Sequence, residues 1–276
     1  MTQTSLLATA PAASSTPGQP PVAAADPIIK SLGITMRYPN GVLALENATL
    51  DIPRGELVTL LGPSGCGKTT LLKIIAGLIT PTSGEIRVND KTVYGPGPDR
   101  AFVFQDFALM PWATVLRNVA FGLELRGTPR AEREASARHY IREVGLAGFE
   151  DKYPNELSGG MRQRAGLARA LTVDADVLLM DEPFSAIDEQ MRRKLQEDLL
   201  SLLRVEKKTV IFVTHSIEEA VYLSDEIVLL TRHPGKVVKT IRPGLDRNAS
   251  PDEIRRDQRY LDAVDDIWSQ LKQYLA

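Results

Sequence analysis

From Pro27 to about Arg242, short apolar runs bounded by polar or turn residues alternate with stretches of helical spacing. The runs ELVTLLG, DVLLM and VIFV are continuously apolar, the pattern of strands buried on both faces. KTTLLKIIAGL places its apolar residues at helical spacing and is stopped by Gly77 and Pro81. IIKSLGITMRY and LALENATLDI read as strands turned at PNG, and GEIRVND and AFVFQ as two more. Helical patterns dominate from about Val115 to Leu171. DVLLMDEP then reads as a strand, AIDEQMRRKLQEDLLSLLRVE as an amphipathic helix and KTVIFVTH as a strand. SIEEAVYL follows as a helix, and DEIVLLTR and KVVKTIR as closing strands. Strands alternating with helices predict an α/β fold with a mainly parallel central sheet. The helical middle, about 106–171, is expected to be a subdomain inserted into a main domain spanning 27–245, with a helical tail at 246–276.

Composition narrows the function classes. The 276 residues carry 33 Lys plus Arg against 35 Asp plus Glu, a net charge of −2. That balance argues against a protein whose main task is to neutralise a nucleic-acid backbone, although a local basic patch stays open. The single cysteine, Cys66, cannot form an internal disulfide, which suits a reducing compartment. No apolar run approaches the roughly 20 residues of a membrane helix. Residues 1–26 are mostly Ala, Pro, Ser and Thr with no Lys or Arg, so they are expected to form a disordered leader without a basic secretory start.

The chemistry begins at GPSGCGKTT, where Gly-x4-Gly-Lys-Thr follows a strand and opens a helix. Through Gly62, Pro63, Ser64, Gly65, Cys66 and Gly67 the backbone can curl its N–H groups inward on phosphates. Lys68 can reach phosphate oxygens, the Thr69 hydroxyl suits Mg²⁺, and Thr70 continues the positive helix end. VLLMDEP ends a buried strand on Asp181, where a carboxylate can hold Mg²⁺, and on Glu182, where a second can activate water. Taken alone, Asp-Glu-Pro is also an ordinary strand-to-loop transition. His215 ends VTH in the same way, and a His so placed is often structural. Gln105, closing AFVFQ, reads equally as a water-positioning group or a loop residue. His139 and His233 lack strand-end placement and read as surface residues. Cys66 either is an activated thiol at a helix start or is simply small enough to fit. A second phosphate-binding helix start, LSGGMRQR, has no explanation in spacing alone.

GPSGCGKTT, VFQ, LSGGMRQR, VLLMDEP, SAID and VTH, in this order, resemble an ATP-binding cassette (ABC) ATPase over nearly everything from Pro27 to about Arg242. The resemblance implies a P-loop NTPase cassette with an antiparallel β subdomain beside the central sheet and an inserted helical subdomain. It implies ATP and Mg²⁺ as cofactors. It also implies a head-to-tail dimer in which Ser158, Gly159 and Gly160 of one copy meet the ATP on the other's phosphate loop. By the same resemblance Tyr38 matches an adenine-stacking aromatic, and Gln105 a residue that senses Mg²⁺ and water while touching a permease. Glu182 matches the general base, His215 the γ-phosphate switch and Asp188 the loop crossing the dimer interface. Met161 stands where a Gln is usual and Ile187 where a Leu is usual; neither removes a γ-phosphate ligand.

Residues 95–127, TRHPGKVVKTI and the tail ending IWSQLKQYLA are similar to the nitrate, sulfonate and taurine branch of ABC importers. In such importers the permease is a separate chain and a solute-binding protein acts indirectly. The cassette is then expected at the cytoplasmic face of the membrane, with no nucleic-acid partner. The rival readings are an exporter motor and a non-transport ABC ATPase acting as a mechanical switch on nucleic acid or the ribosome. Phe107, Leu109, Met110 and Trp112 form an apolar cluster suited to permease docking or to internal packing, with about half of it expected to be exposed. Leu261, Val264, Ile267, Trp268 and Leu271 give the tail helix one apolar face, expected to pack on its own domain.

Overall fold

A computed structural model describes residues 26–185, 189–247 and 249–275. The expected leader, Asp26 apart, and Ile187 and Asp188 lie outside them. Two sheets form among the described residues. Strands β1 (Pro27–Arg37), β2 (Leu43–Pro53), β4 (Ser83–Val88) and β5 (Lys91–Thr92) make an antiparallel sheet in the order β2-β1-β4-β5. Strands β3 (Leu57–Leu61), β6 (Arg100–Val103), β7 (Val177–Asp181), β8 (Thr209–Thr214), β9 (Glu226–Leu230) and β10 (Val237–Ile241) make the second sheet, in the order β10-β9-β3-β8-β7-β6. It is parallel except for the edge strand β10.

Period-two alternation explains why the central strands are apolar throughout. Val58, Leu60, Leu179, Ile211, Val213 and Val228 face the antiparallel sheet and helix α1 (Lys68–Ile75). Their neighbours Leu57, Leu61, Leu178, Met180, Phe212 and Leu229 face the opposite core. That second core is built with α5 (Glu189–Glu206), α6 (Ile217–Leu223), α7 (Pro251–Arg256) and α8 (Gln258–Leu275). Every residue of β3, β7, β8 and β9 is buried, so no polar face remains to show an alternating pattern. The expected parallel α/β architecture is the one observed.

A third core lies within the helical middle, where α2 (Val115–Leu125), α3 (Arg130–Glu143) and α4 (Gly159–Thr172) pack around Val119, Ile141, Leu157 and Ala165. Helix α3 shows almost no apolar periodicity because only Ala137 and Ile141 of its residues are buried. The tail helix differs in detail from expectation. It packs on the main domain through Tyr260, Ile267 and Leu271, with Val264 partly buried against the same core, whereas Leu261 and Trp268 are exposed. Those two residues stand one turn-step off the buried stripe, so the apolar face is narrower than the sequence suggests. No described helix is long and apolar enough to cross a membrane.

Phe212 is fully buried on β8, with its ring 5.7 Å from that of Phe184. Phe212→Ala is expected to cost about 3–5 kcal/mol, read as a lowered midpoint of urea unfolding.

Candidate active site

The parallel strands end together, and the polar residues of the sequence sit on that edge. Strand β3 runs into the loop 62–67, and the loop into α1. Gly67 has φ 93°, and a Cβ there would stand 2.7 Å from the Ala44 carbonyl oxygen, so this turn admits only glycine. Cys66, directly before it, is completely buried, and burial pushes its thiol up against the opposing pull of Lys68. The activated-thiol reading therefore fails, and Cys66 is a small residue that fits.

Lys68 is buried, with its ammonium donating to the carbonyls of Gly62 at 2.7 Å and Pro63 at 3.0 Å. The Cys66 sulfur, 3.8 Å away, is its third and weak acceptor. The Thr69 hydroxyl donates to Asp181 Oδ1 at 2.7 Å. Burial pushes the Asp181 carboxyl above its ordinary range, opposed by the Thr69 bond and by Lys73. These are two hard oxygen donors in contact, with a carboxylate whose desolvation a cation would offset, and such a pair fits Mg²⁺.

Glu182 follows in the left-handed region at φ 43°, fixed by its own N–H to the Val213 carbonyl at 3.1 Å. This turn aims Oε2 at His215 Nδ1, 3.2 Å away at the end of β8. Gln105 does not join the Thr69–Asp181 pair. Its Nε2 donates to Ser185 Oγ at 3.3 Å, and that hydroxyl donates to the Glu182 carbonyl at 3.0 Å. Tyr38 lines the pocket over the loop, together with Val42, Gly65, Lys68 and Glu182. Its hydroxyl is 3.0 Å from Thr70 Oγ1, so Tyr38 and Thr70 hold each other.

Ser158 caps α4, its hydroxyl accepting from the Met161 N–H at 3.3 Å. Neither it nor Gly159 nor Gly160 lines the pocket over the phosphate loop. The apolar cluster after Gln105 is less exposed than expected. Phe107 is buried, Leu109 and Met110 are half-buried, and Trp112 alone stands out at 73% exposure. Asn118 explains the posture of Trp112. Fully buried, it accepts from Met110 N–H at 2.8 Å and donates to the carbonyls of Met110, Ala113 and Thr114.

Three site-shaping residues escape sequence reading. Arg169 of α4 donates to the carbonyls of Phe107 at 2.6 Å and Ala108 at 2.7 Å, both at positive φ. Glu219 accepts from Thr214 Oγ1 at 2.6 Å and from Gln196 Nε2 at 3.2 Å, clamping the turn that carries His215. Burial pushes its carboxyl up, against the pull of the Thr214 bond. The only signal for it is the Ser216-x-x-Glu219 spacing of a helix cap, of which the structure forms one half: Ser216 Oγ accepts from the Glu219 N–H, while the Glu219 carboxylate turns to Thr214 and Gln196. His233, read as a surface residue, is exposed yet lines the pocket beside Tyr38.

A family model described as ABC transporter matches residues 45–185. The chain is 55% identical over 208 residues to an uncharacterized ABC transporter ATP-binding protein of Methanocaldococcus jannaschii, covering 75% of this chain and 78% of that one. It is 45% identical over 249 residues to a taurine import ATP-binding protein of Chromobacterium violaceum, covering 87% and 95%. Among solved structures it resembles a dimeric ATP-binding cassette in a post-hydrolysis state bound to ADP and Pi. That match has a TM-score of 0.70 and 33% identity, and covers 78% of this chain and 98% of the other.

The buried Cys66 generates a direct check. A thiol reagent should leave the native protein unlabelled and modify one thiol per chain in denaturant; labelling of the native protein at the rate of a free thiol would contradict this burial.

Proposed function

The chain belongs to the ABC transporter family as an ATP-hydrolysing subunit that drives import, and from that premise we propose how its residues hold and split ATP. The observation that carries the reading is the contact of Glu182 Oε2 with His215 Nδ1, beside the Thr69–Asp181 pair and the phosphate loop. The loop's N–H groups and the positive end of α1 receive the phosphates. A phosphate oxygen replaces the weak Cys66 sulfur as the third acceptor of Lys68, while the Gly62 and Pro63 carbonyls keep the ammonium aimed. Tyr38 stacks on adenine. Thr69 and Asp181 hold Mg²⁺, which when bound neutralises charge on the phosphates.

Glu182 accepts a proton from the water that attacks the γ-phosphorus, and ADP leaves. His215 reports the γ-phosphate to Glu182, with Glu219 fixing its turn. Gln105, whose Nε2 donates to Ser185, would join Thr69 and Asp181 as the residue that senses Mg²⁺ and the attacking water. Two copies close head to tail so that Ser158, Gly159 and Gly160 of one complete the pocket of the other. This is supported by their absence from the lining of their own pocket and by the dimeric state of the solved relative. Asp188 belongs to the same interface.

The helical unit at about 106–171 meets a separate permease through the Trp112 surface, which tethers the subunit to the membrane. The solute is a small taurine-like sulfonate, in keeping with relatives named as taurine importers, and a solute-binding protein delivers it. The rival switch on nucleic acid or the ribosome is disfavoured by those names and by the balanced charge.

Two experiments test this. Glu182→Gln should lower ATP turnover by about 10² to 10⁴ while ATP binding survives and the dimer persists longer. Near-normal hydrolysis would remove Glu182 from the role of base. A tagged subunit pulled from gently solubilised membranes should bring down a polytopic permease, and Trp112→Ala should lose it with the isolated subunit's ATPase unchanged. Recovery with ribosomal or nucleic-acid partners instead would sink the transport reading.

A further inference from the structure

The turn between β9 and β10, Thr231-Arg232-His233-Pro234-Gly235, has no part in the machinery above, yet its His233 lines the same pocket. Its shape is fixed from within. Thr231 N–H donates to the Lys236 carbonyl at 3.0 Å, and Thr231 Oγ1 accepts from Lys236 N–H and donates to the Pro234 carbonyl, both at 3.0 Å. It is also fixed from outside. Gly235 N–H donates to the Ala44 carbonyl, and Glu46 N–H to the Gly235 carbonyl, each at 3.0 Å. Lys236 pairs with Glu46 at 2.8 Å. Gly235 is pressed so closely on the phosphate loop that a Cβ there would lie 1.9 Å from the Cys66 carbonyl oxygen.

A side chain on such a turn is presented at a fixed place. His233 lines the pocket with Tyr38, Val42 and Ala44, and its turn is bonded to Ala44 and Glu46, at the start of the strand that follows Val42. Tyr38, read above as the residue that stacks on adenine, lines the same pocket, and Ala44 lies on the strand that follows it. An imidazole there offers a planar ring with one donor and one acceptor, matched to ribose hydroxyls or a base edge. We propose that His233 is a nucleotide-binding residue that contacts the nucleoside part of bound ATP, leaving the phosphates to the loop. The proposal rests on the reading that this pocket takes ATP.

The test is calorimetric binding of ATP and of inorganic tripolyphosphate to the full chain and to His233→Ala, His233→Gln and Arg232→Ala. Arg232 does not line the pocket, so its variant controls for disturbance of the turn. For His233→Ala, ATP affinity should fall roughly three- to tenfold, the worth of one hydrogen bond, with tripolyphosphate affinity unchanged. KM for ATP should rise with kcat held, His233→Gln should recover part of the loss, and Arg232→Ala should match the parent chain. Unchanged ATP affinity in His233→Ala would overturn the proposal, as would equal loss of both ligands or an equal loss in Arg232→Ala. A parent chain that binds tripolyphosphate but gains nothing from the nucleoside would also overturn it. A parent chain that binds neither would overturn the pocket reading itself and this proposal with it.

Discussion

A parallel sheet buried on both faces can carry polar chemistry only where its strands stop. Inside β3, β7, β8 and β9 an unpaired charge would meet apolar cores on either side, and the cost of burying it excludes it. Four strands therefore deliver their polar residues to one edge. Strand β3 delivers the phosphate loop, β7 delivers Asp181 and Glu182, β8 delivers His215, and β6 delivers Gln105 just beyond its end. The Thr69–Asp181 bond then ties the first helix to the neighbouring strand end, and the Glu182–His215 contact ties that end to the next. Register does this work, because Asp181 pairs with Val213 one residue before the polar end of β8.

The phosphate loop owes its shape to what surrounds it. Backbone from three distant segments approaches it more closely than a side chain allows: Ala44 at Gly67, Leu230 at Gly62, and Gly235 at Cys66. These contacts join the antiparallel sheet, the end of β9 and the β9–β10 turn to one loop. Cys66 is consequently sealed, and Lys68 is held by carbonyls of the loop it follows.

The helical middle is joined to this edge by side chains that grip backbone. Arg169 holds the two left-handed carbonyls after Gln105 by hydrogen bonds, and burial pushes its guanidinium's pKa down against the pull of Asp106. Asn118 holds the next few residues and sets Trp112 outward. The segment between Gln105 and α2 thus has one end at the strand edge and the other on the molecular surface.

The sequence by itself determined the layered α/β architecture, the phosphate loop and the strand-end positions of Asp181, Glu182 and His215. Those rest on local rules: continuous apolar runs end where polar residues begin, and a glycine-rich loop opens the helix after a strand. It could not separate Leu261 and Trp268 from the buried face of the tail helix, nor Phe107 from Trp112, because an apolar residue reads the same whether covered or bare. Only the tertiary structure decided that Cys66 is sealed, that Gln105 meets Ser185, that Arg169 and Glu219 brace the backbone near the strand ends, and that His233 lines the pocket. Each of these depends on a contact between segments far apart in the chain or on the exact turn of a backbone, as Gly235 on Cys66 shows across 169 positions. Periodicity carries no record of such meetings; packing alone creates them.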